Sequence, residues 1–238
     1  MNFTKIDLDE THIRLTTDLE NHDLKRFIFN IRRDLKDYIL RNNDFLISMS
    51  PLKIPQDNLA DIVVKMIGAS DICDVGPMAC VAGTISEMSL DYLIRLGSFY
   101  SIVENGGDIA MINDRKVLCG IYSNNDVLGN NIAFEIKKRK KPLGICTSSG
   151  KIGHSISFGE SDSVTVIGNS PAVCDGLSTK IANSVNGDTS EDKVMNALEC
   201  ADEFRSYFEG ALIICDGSVA TIGKLPKVIE SKEFHLNL

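Results

Sequence analysis

Tryptophan is absent from this 238-residue chain, aromatic residues make up 6% of it, and histidine occurs four times. Single-stranded nucleic acids are held on aromatic stacking platforms, which this composition does not supply. Positive charge is in deficit as well: 25 Lys and Arg stand against 33 Asp and Glu, a net charge of −8. An acidic surface disfavours general binding to nucleic acid or anionic lipid, so neither partner is expected. No apolar run reaches the roughly 18–20 residues that a membrane-spanning helix needs. The opening MNFTKIDLDETHIRL has no apolar stretch of the kind that drives secretion. Seven cysteines, at 73, 80, 119, 146, 174, 200 and 215, form no CxxC pair and no Cys/His zinc spacing. An odd set of thiols without a secretion signal is expected to be reduced and mostly buried, in a cytoplasmic protein.

What is present is a core. Hydrophobic residues make up 43% of the chain, enough to fold a substantial domain. Residues 3–18 alternate as a strand or hairpin does. Leu24, Phe27, Ile28, Ile31, Leu35, Tyr38 and Ile39 then recur at helical spacing. DFLISMSPLKIP is a short apolar segment closed by prolines. Residues 58–72 read as a second helix and 75–97 as a third, with Pro77 in its first turn and Gly97 as its stop. SIVENGGDIAMIN, KVLCGIYS, NIAFEIK, LGIC and SVTVIG read as strands. KKRKK, residues 137–141, reads as a solvated hairpin end, with a phosphate-binding patch as the lesser alternative. Residues 171–186 and 190–209 read as helices, the latter capped by Ser190. ALIICDG and VATIG close the chain as a hairpin around Asp-Gly. Strands and helices mix without βαβ alternation, and no linker or repeat divides them. The expectation is one α+β domain over residues 1–238, with a mixed or antiparallel sheet and packed helices.

Four clusters of small and polar residues stand out. The first, Gly76 to Thr84, includes Gly76, Ala79 and Gly83. It would let a ligand or a second backbone approach a helix start, although tight helix packing is the plainer reading. The second, Asn105, Gly106, Gly107 and Asp108, suits close approach to a flat or anionic group, and equally a hairpin turn. The third is TSSGKIGHS: Thr147, Ser148, Ser149 and Gly150 offer hydroxyls and N–H groups in a loop for phosphate oxygens. His154 there suits ligand binding or proton transfer, or a structural hydrogen bond. The stretch is neither a Walker loop nor a GxSxG nucleophile elbow. The fourth is CDGLST, where Asp175 and Thr179 share a helix face at i, i+4. Their hard oxygens suit Mg²⁺; an acid near a helix N-terminus is the plainer reading.

Taken in order, GPMACVAG, ENGGDI, TSSG followed by GHS, SVTVIG and CDGLST resemble the ApbE-like superfamily, best known for FAD:protein FMN transferases. The likeness is strongest over residues 75–182. It is closest to a compact branch found largely in methanogenic archaea and some anaerobic bacteria. The resemblance implies an ApbE-like fold. It implies that Asp175 and Thr179 hold Mg²⁺ at the pyrophosphate of a small-molecule nucleotide, FAD or FMN. It places Gly106, Gly107, Asp108, Thr147, Ser149 and Gly150 around that nucleotide, and His154 at the family's Ser-His position as the candidate catalytic residue. The transferases continue with D-P-R-T-G where this chain has ISFGESD, so FMN transfer itself is not carried over.

Two other functions stay open beside a flavin-binding, transferase-like one. The branch's association with homocysteine and sulfide-incorporation genes suggests an accessory role in anaerobic sulfur assimilation, with a protein partner and with Cys80 and Cys146 as chemical handles. A non-catalytic interaction protein with a vestigial pocket is the third. Homo-oligomer formation is compatible with all three.

Overall fold

The computed structural model describes residues 1–55, 58–121, 132–149 and 159–230; Gly150 and His154 lie outside the described residues. The chain opens with a hairpin, β1 (Asn2–Leu8) against β2 (Thr11–Thr17). Helix α1 (Leu24–Arg41) follows, burying Leu24, Ile28, Ile31 and Leu35 on one face. Its Arg32 also turns inward and bonds Thr11, Glu10 (2.6 Å) and Asp9 (3.3 Å), which ties the hairpin turn to the helix. A single turn, α2 (Asp44–Ile47), precedes α3 (Asp61–Cys73).

The third expected helix divides in two. Pro77–Cys80 is a 3₁₀ turn, and α4 (Val81–Arg95) starts after it. Gly97 takes φ +96°, the left-handed stop that glycine provides at a helix end. Then come β3 (Ser101–Asn105), β4 (Asp108–Ile112), β5 (Val117–Gly120), β6 (Ile132–Ile136), β7 (Leu143–Ser148) and β8 (Ser163–Gly168). Helices α5 (Pro171–Asn183) and α6 (Ser190–Glu203) lead to β9 (Gly210–Cys215), β10 (Ser218–Gly223) and β11 (Lys227–Glu230).

Eight strands form one sheet in the order β1-β2-β3-β4-β7-β8-β9-β10, and three form a second in the order β11-β6-β5. Every pairing among the described residues is antiparallel. The fold is α+β, as expected. One face of the large sheet carries the helices, over two apolar clusters. The other face is covered by the small sheet, through Met111, Ile145, Ile167, Leu212 and Ile214 against Phe134 and Ile136.

Four local expectations are corrected. Thr147 and Ser148 belong to β7 and not to a loop, because each pairs with β8 and the Thr147 hydroxyl meets that of Thr165 at 2.9 Å. A polar strand is stable where its side chains find each other across the ladder. Thr189, not Ser190, caps α6, in a reciprocal capping box with Asp192. That helix ends at Glu203, and a 3₁₀ turn, Arg205–Tyr207, reverses the chain before Phe208. Residues 137–141 are not a hairpin end either: β6 and β7 lie in different sheets, and the lysine-rich run connects them.

Helices α3, α4 and α5 approach closely at small residues. A Cβ added to Gly176 would lie 2.7 Å from the Cys80 sulfur and 2.8 Å from that of Cys73. Gly68 in α3 has nothing within 4 Å of the same position. Gly176→Ala is therefore expected to lower unfolding free energy by about 1–3 kcal/mol through overpacking. Gly68→Ala should raise it by up to about 1 kcal/mol through helix propensity. Denaturant unfolding of both variants checks the pair; equal effects would contradict the packing described.

Candidate functional site

The central seam of the large sheet is the β4–β7 pair. Helix α4 packs over β3 and β4, helix α5 packs over β7 and β8, and the two helices pack on each other. Among the described candidates, Gly83, Asn105, Asp108 and Asp175 come together where this seam meets the starts of the two helices.

ENGGDI forms the tight hairpin turn between β3 and β4. Asn105 pairs with Asp108 in the ladder, and Gly106 takes φ +73°, which strains any side chain. No atom lies within 4 Å of a Cβ placed on Gly106, so the turn is open on that side. Residues opposite each other in an antiparallel pair face the same way. Asn105, Asp108 and Cys146 therefore share the helix-facing side, since Asp108 pairs with both of the others. The contacts agree: the Asn105 amide donates to Ala82 O (3.3 Å), and the Ser86 hydroxyl donates to Asp108 O (2.9 Å). Pleating puts Thr147 on the opposite face and returns Ser148 to the helix side. TSS is thus divided between the two faces of the sheet.

Helix α4 has no side-chain cap of its own, so its first-turn N–H groups need an outside acceptor. Asp175 on α5 provides it: its Oδ2 accepts from the Gly83 N–H at 2.7 Å, and the Ala82 N–H contributes as well. Negative charge at a helix N-terminus is favourable. The converse bond runs from α4 to α5. Glu87 Oε2 accepts from the Ser170 hydroxyl (2.8 Å) and the Ala172 N–H (2.9 Å) at the start of α5, while Lys65 pairs with the other oxygen. Sequence reasoning missed Glu87. Its signal was a lone acid among small and apolar residues in GTISEMSL.

The space over two of the predicted glycines is filled by the chain itself. A Cβ at Gly83 would lie 2.4 Å from Pro171 O and 2.6 Å from the Asp175 Cβ, and one at Gly76 would overlap Ser48 O. Both glycines serve close packing. Ala79 is half-buried against the core beneath α5.

Asp175 is 8% exposed and Thr179 9%. Burial, then the negative charge of Asp108, raises the Asp175 carboxyl well above the usual range, against the pull of the N–H bonds. Burial pushes Asp108 up to about 7, against its contact with the Cys146 thiol. Asp108 Oδ1 is buried and meets no hydrogen-bond partner among the described residues. Among the described residues, burial, acids, thiols and backbone N–H groups lead in setting both carboxyls, and no cationic side chain does. Among the described residues no group of three or more His, Cys, Asp and Glu side chains is placed to hold a metal ion. Any cation here would rest on two carboxylates, a hydroxyl and what a substrate brings.

Cys73, Cys80, Cys146 and Cys174 are fully buried free thiols around these carboxyls. Burial and Asp108 raise Cys146, and a hydrogen bond with Cys73 followed by burial raises Cys80. A sulfur carrier needs the opposite, an accessible thiolate with a lowered pKa. A separate cavity of about 320 Å³ opens beside the start of α5, lined by residues such as Ile72, Asn169 and Tyr207 and by none of the predicted site residues.

This geometry has counterparts. A family model described as "AbpE bacteria" matches residues 2–221. The chain belongs to that family. It is 58% identical over 238 residues to a UPF0280 protein of Methanobrevibacter smithii, covering all of both chains. It is 45% identical over 225 residues to a UPF0280 protein of Methanothermobacter thermautotrophicus, covering 94% of this chain and 87% of that one. Among solved structures, the fold is similar to the flavin transferase ApbE from Vibrio cholerae, with a TM-score of 0.57 at 14% identity over 98% of this chain and 97% of that one. It is similar also to the Pseudomonas stutzeri flavinyl transferase ApbE in its apo form, with a TM-score of 0.54 at 11% identity, covering 98% and 94%. Among the described residues no helix of this family member is long and apolar enough to cross a membrane.

The half-buried Asp108, whose carboxyl turns inward, has a sign to its pH dependence. Its folded pKa of about 7 exceeds the ordinary 3.8, so the folded chain holds the proton more tightly than the unfolded one. The stability this contributes is complete below the ordinary value and is lost as pH rises toward about 7. In the absence of divalent cations, the unfolding free energy of the wild type is expected to fall across that window relative to Asp108→Asn. Denaturant titrations of the two proteins at several pH values check this; parallel curves would contradict it.

Proposed function

We propose that this chain binds a flavin nucleotide with Mg²⁺ at the β4–β7 seam, in a site of the flavin-transfer type. The observation that carries the reading is the pair of carboxyls at the seam, buried Asp175 and half-buried Asp108 with its inward Oδ1; among the described residues that oxygen meets no partner and no cationic side chain leads in setting either acid. Buried like charges are costly unless they are protonated or meet a cation. Mg²⁺ typically takes one or two carboxylates, retains several waters and completes its shell with substrate phosphates. Asp175 and Thr179, one turn apart on α5, would hold the ion, with Asp108 facing them from β4. Bound there, Mg²⁺ supplies neutralisation of pyrophosphate charge.

The chain's own groups do the rest. The N–H bonds from Gly83 and Ala82 fix the Asp175 carboxylate. The open Gly106–Gly107 turn leaves room for a flat group beside Asn105 and Asp108. Ser148 and Ser149 supply the wall toward the nucleotide, and Thr147 braces it through Thr165 on the far face. The flavin transferases of the same fold support the ligand class. The missing D-P-R-T-G segment sets the limit of the reading at binding and positioning of the nucleotide. The high pKa and full burial of Cys80 and Cys146 favour this reading over a sulfur-handling one.

Titration of the purified chain with FAD or FMN, followed by flavin fluorescence, tests it. Quenching is expected, strengthened by Mg²⁺. Asp175→Asn and Thr179→Ala should each weaken the Mg²⁺-dependent part by at least about tenfold, the scale of one lost bond to a charged group. Absence of quenching up to high micromolar flavin would remove the proposal.

A further inference from the structure

The lysine-rich run that no function has absorbed sits in a defined place. Two connectors cross between the sheets: residues 137–142, KKRKKP, from β6 to β7, and residues 224–226, KLP, from β10 to β11, which itself begins at Lys227. Neither connector contains an acid. They meet at one end of the sheets, because Glu209 accepts both from the Arg139 guanidinium (2.7 Å) and, through its carbonyl, from the Lys224 N–H (2.7 Å). Lys227 pairs with Glu135 in the β11–β6 ladder.

The nearby acids are already matched. Asp114 pairs with Arg115 (2.7 Å), Glu135 with Lys116 (3.2 Å) and Glu209 with Arg139 (2.7 Å). Lys137, Lys138, Lys140, Lys141, Lys224 and Lys227 remain, all exposed; among the described residues none is in ion-pair contact with an acid, and Lys138 only helps Arg115 hold the Asp114 carboxyl down from a distance. Six lysines without an ion-pair contact among the described residues thus share one end of a chain whose net charge is −8.

This end is not the nucleotide site. Strands β4 and β7 span the sheet between them, with Asp108 and Ser148 at the far end and Ile112 and Leu143 at this one. At roughly 3.3 Å per residue, the two ends are about 13–17 Å apart.

The chemistry of the patch restricts what it fits. The forked guanidiniums that grip phosphate in bidentate fashion are committed: Arg139 to Glu209 and Asn169, Arg115 to Asp114 and the face of Tyr100. What is left is a set of mobile point charges on an outward surface, suited to a diffuse array of side-chain carboxylates. A long polyanion or an anionic lipid plane would extend past the patch and meet the acidic remainder of the chain. A local acidic segment would not. We infer that the lysine end of the two sheets is a docking surface for an acidic polypeptide segment of a partner protein. Complementarity of this kind acts on association rate and partner choice more than on raw affinity.

The test uses the full chain and a fluorescent poly-L-glutamate of about 20 residues, read by anisotropy at low and raised salt. Binding is expected at low ionic strength, weakening as salt screens it. Joint reversal of Lys137, Lys138, Lys140 and Lys141 to Glu should weaken it by about tenfold or more. A control variant with Lys5, Lys25, Arg26 and Lys53 reversed to Glu carries the same net charge and should bind much as the wild type does. Lys224→Glu/Lys227→Glu provides a second reading on a separate connector, should the first variant fold poorly. No binding, equal losses in patch and control variants, or tighter capture of duplex DNA or anionic vesicles than of poly-L-glutamate would each overturn the inference. None of these outcomes depends on whether flavin binds.

Discussion

The structure depends on an exchange of carboxylates between two helices. Glu87 of α4 accepts the first donors of α5, and Asp175 of α5 accepts the first donors of α4. Each helix start would otherwise leave N–H groups unsatisfied inside the protein, at a cost of about 1–3 kcal/mol per group. Glycine makes the exchange possible: any side chain at Gly83 or Gly176 would hold the helices apart. The result fixes Asp175 to within a hydrogen-bond length over the central seam of the sheet.

That placement has an electrostatic consequence. A carboxylate drawn inward to cap a helix lies within reach of Asp108, which the Asn-Gly-Gly-Asp turn delivers from the sheet. Burial raises both carboxyls, and the charge of one raises the other further. Four buried thiols add no positive charge to offset them. A structural cap alone requires only Asp175. The second acid, with an oxygen that meets no partner among the described residues, is what the proposed cation site adds to that cap.

Most of the architecture was legible in the sequence because most of it is written in local periodicity. Alternation marked β1 and β2, the 3.6-residue repeat marked α1 and α3, and Asp-Gly marked the last hairpin. What escaped was non-local. The polar strand at Thr147–Ser148 is stabilised by the ladder to β8 and by Thr165, a partner 18 residues away. Lys227–Glu230 is too short and too exposed to show a pattern, and becomes a strand only through β6. KKRKK resembled a hairpin end because nothing local says that β6 and β7 lie in different sheets. At the site, the grouping of Asn105–Asp108 with Asp175 followed the family motif order. Glu87 belongs to no motif, and the α5 donors it accepts lie more than 80 residues away. Gly76 and Gly83 show the ambiguity of small residues: the same spacing serves a ligand or a neighbouring backbone, and here it is the backbone.

The central claim is the proposed one, that Asp175 and Asp108, both raised above the usual carboxyl range by burial, form a cation site. Calorimetric titration of Mg²⁺ into the chain near neutral pH, in two buffers of different ionisation enthalpy, tests it most directly. If the ion displaces protons from Asp175 and Asp108, the apparent heat will differ between the buffers by the amount that proton release requires, and the difference will shrink in Asp175→Asn. A heat independent of buffer, or no binding at all, would contradict the account.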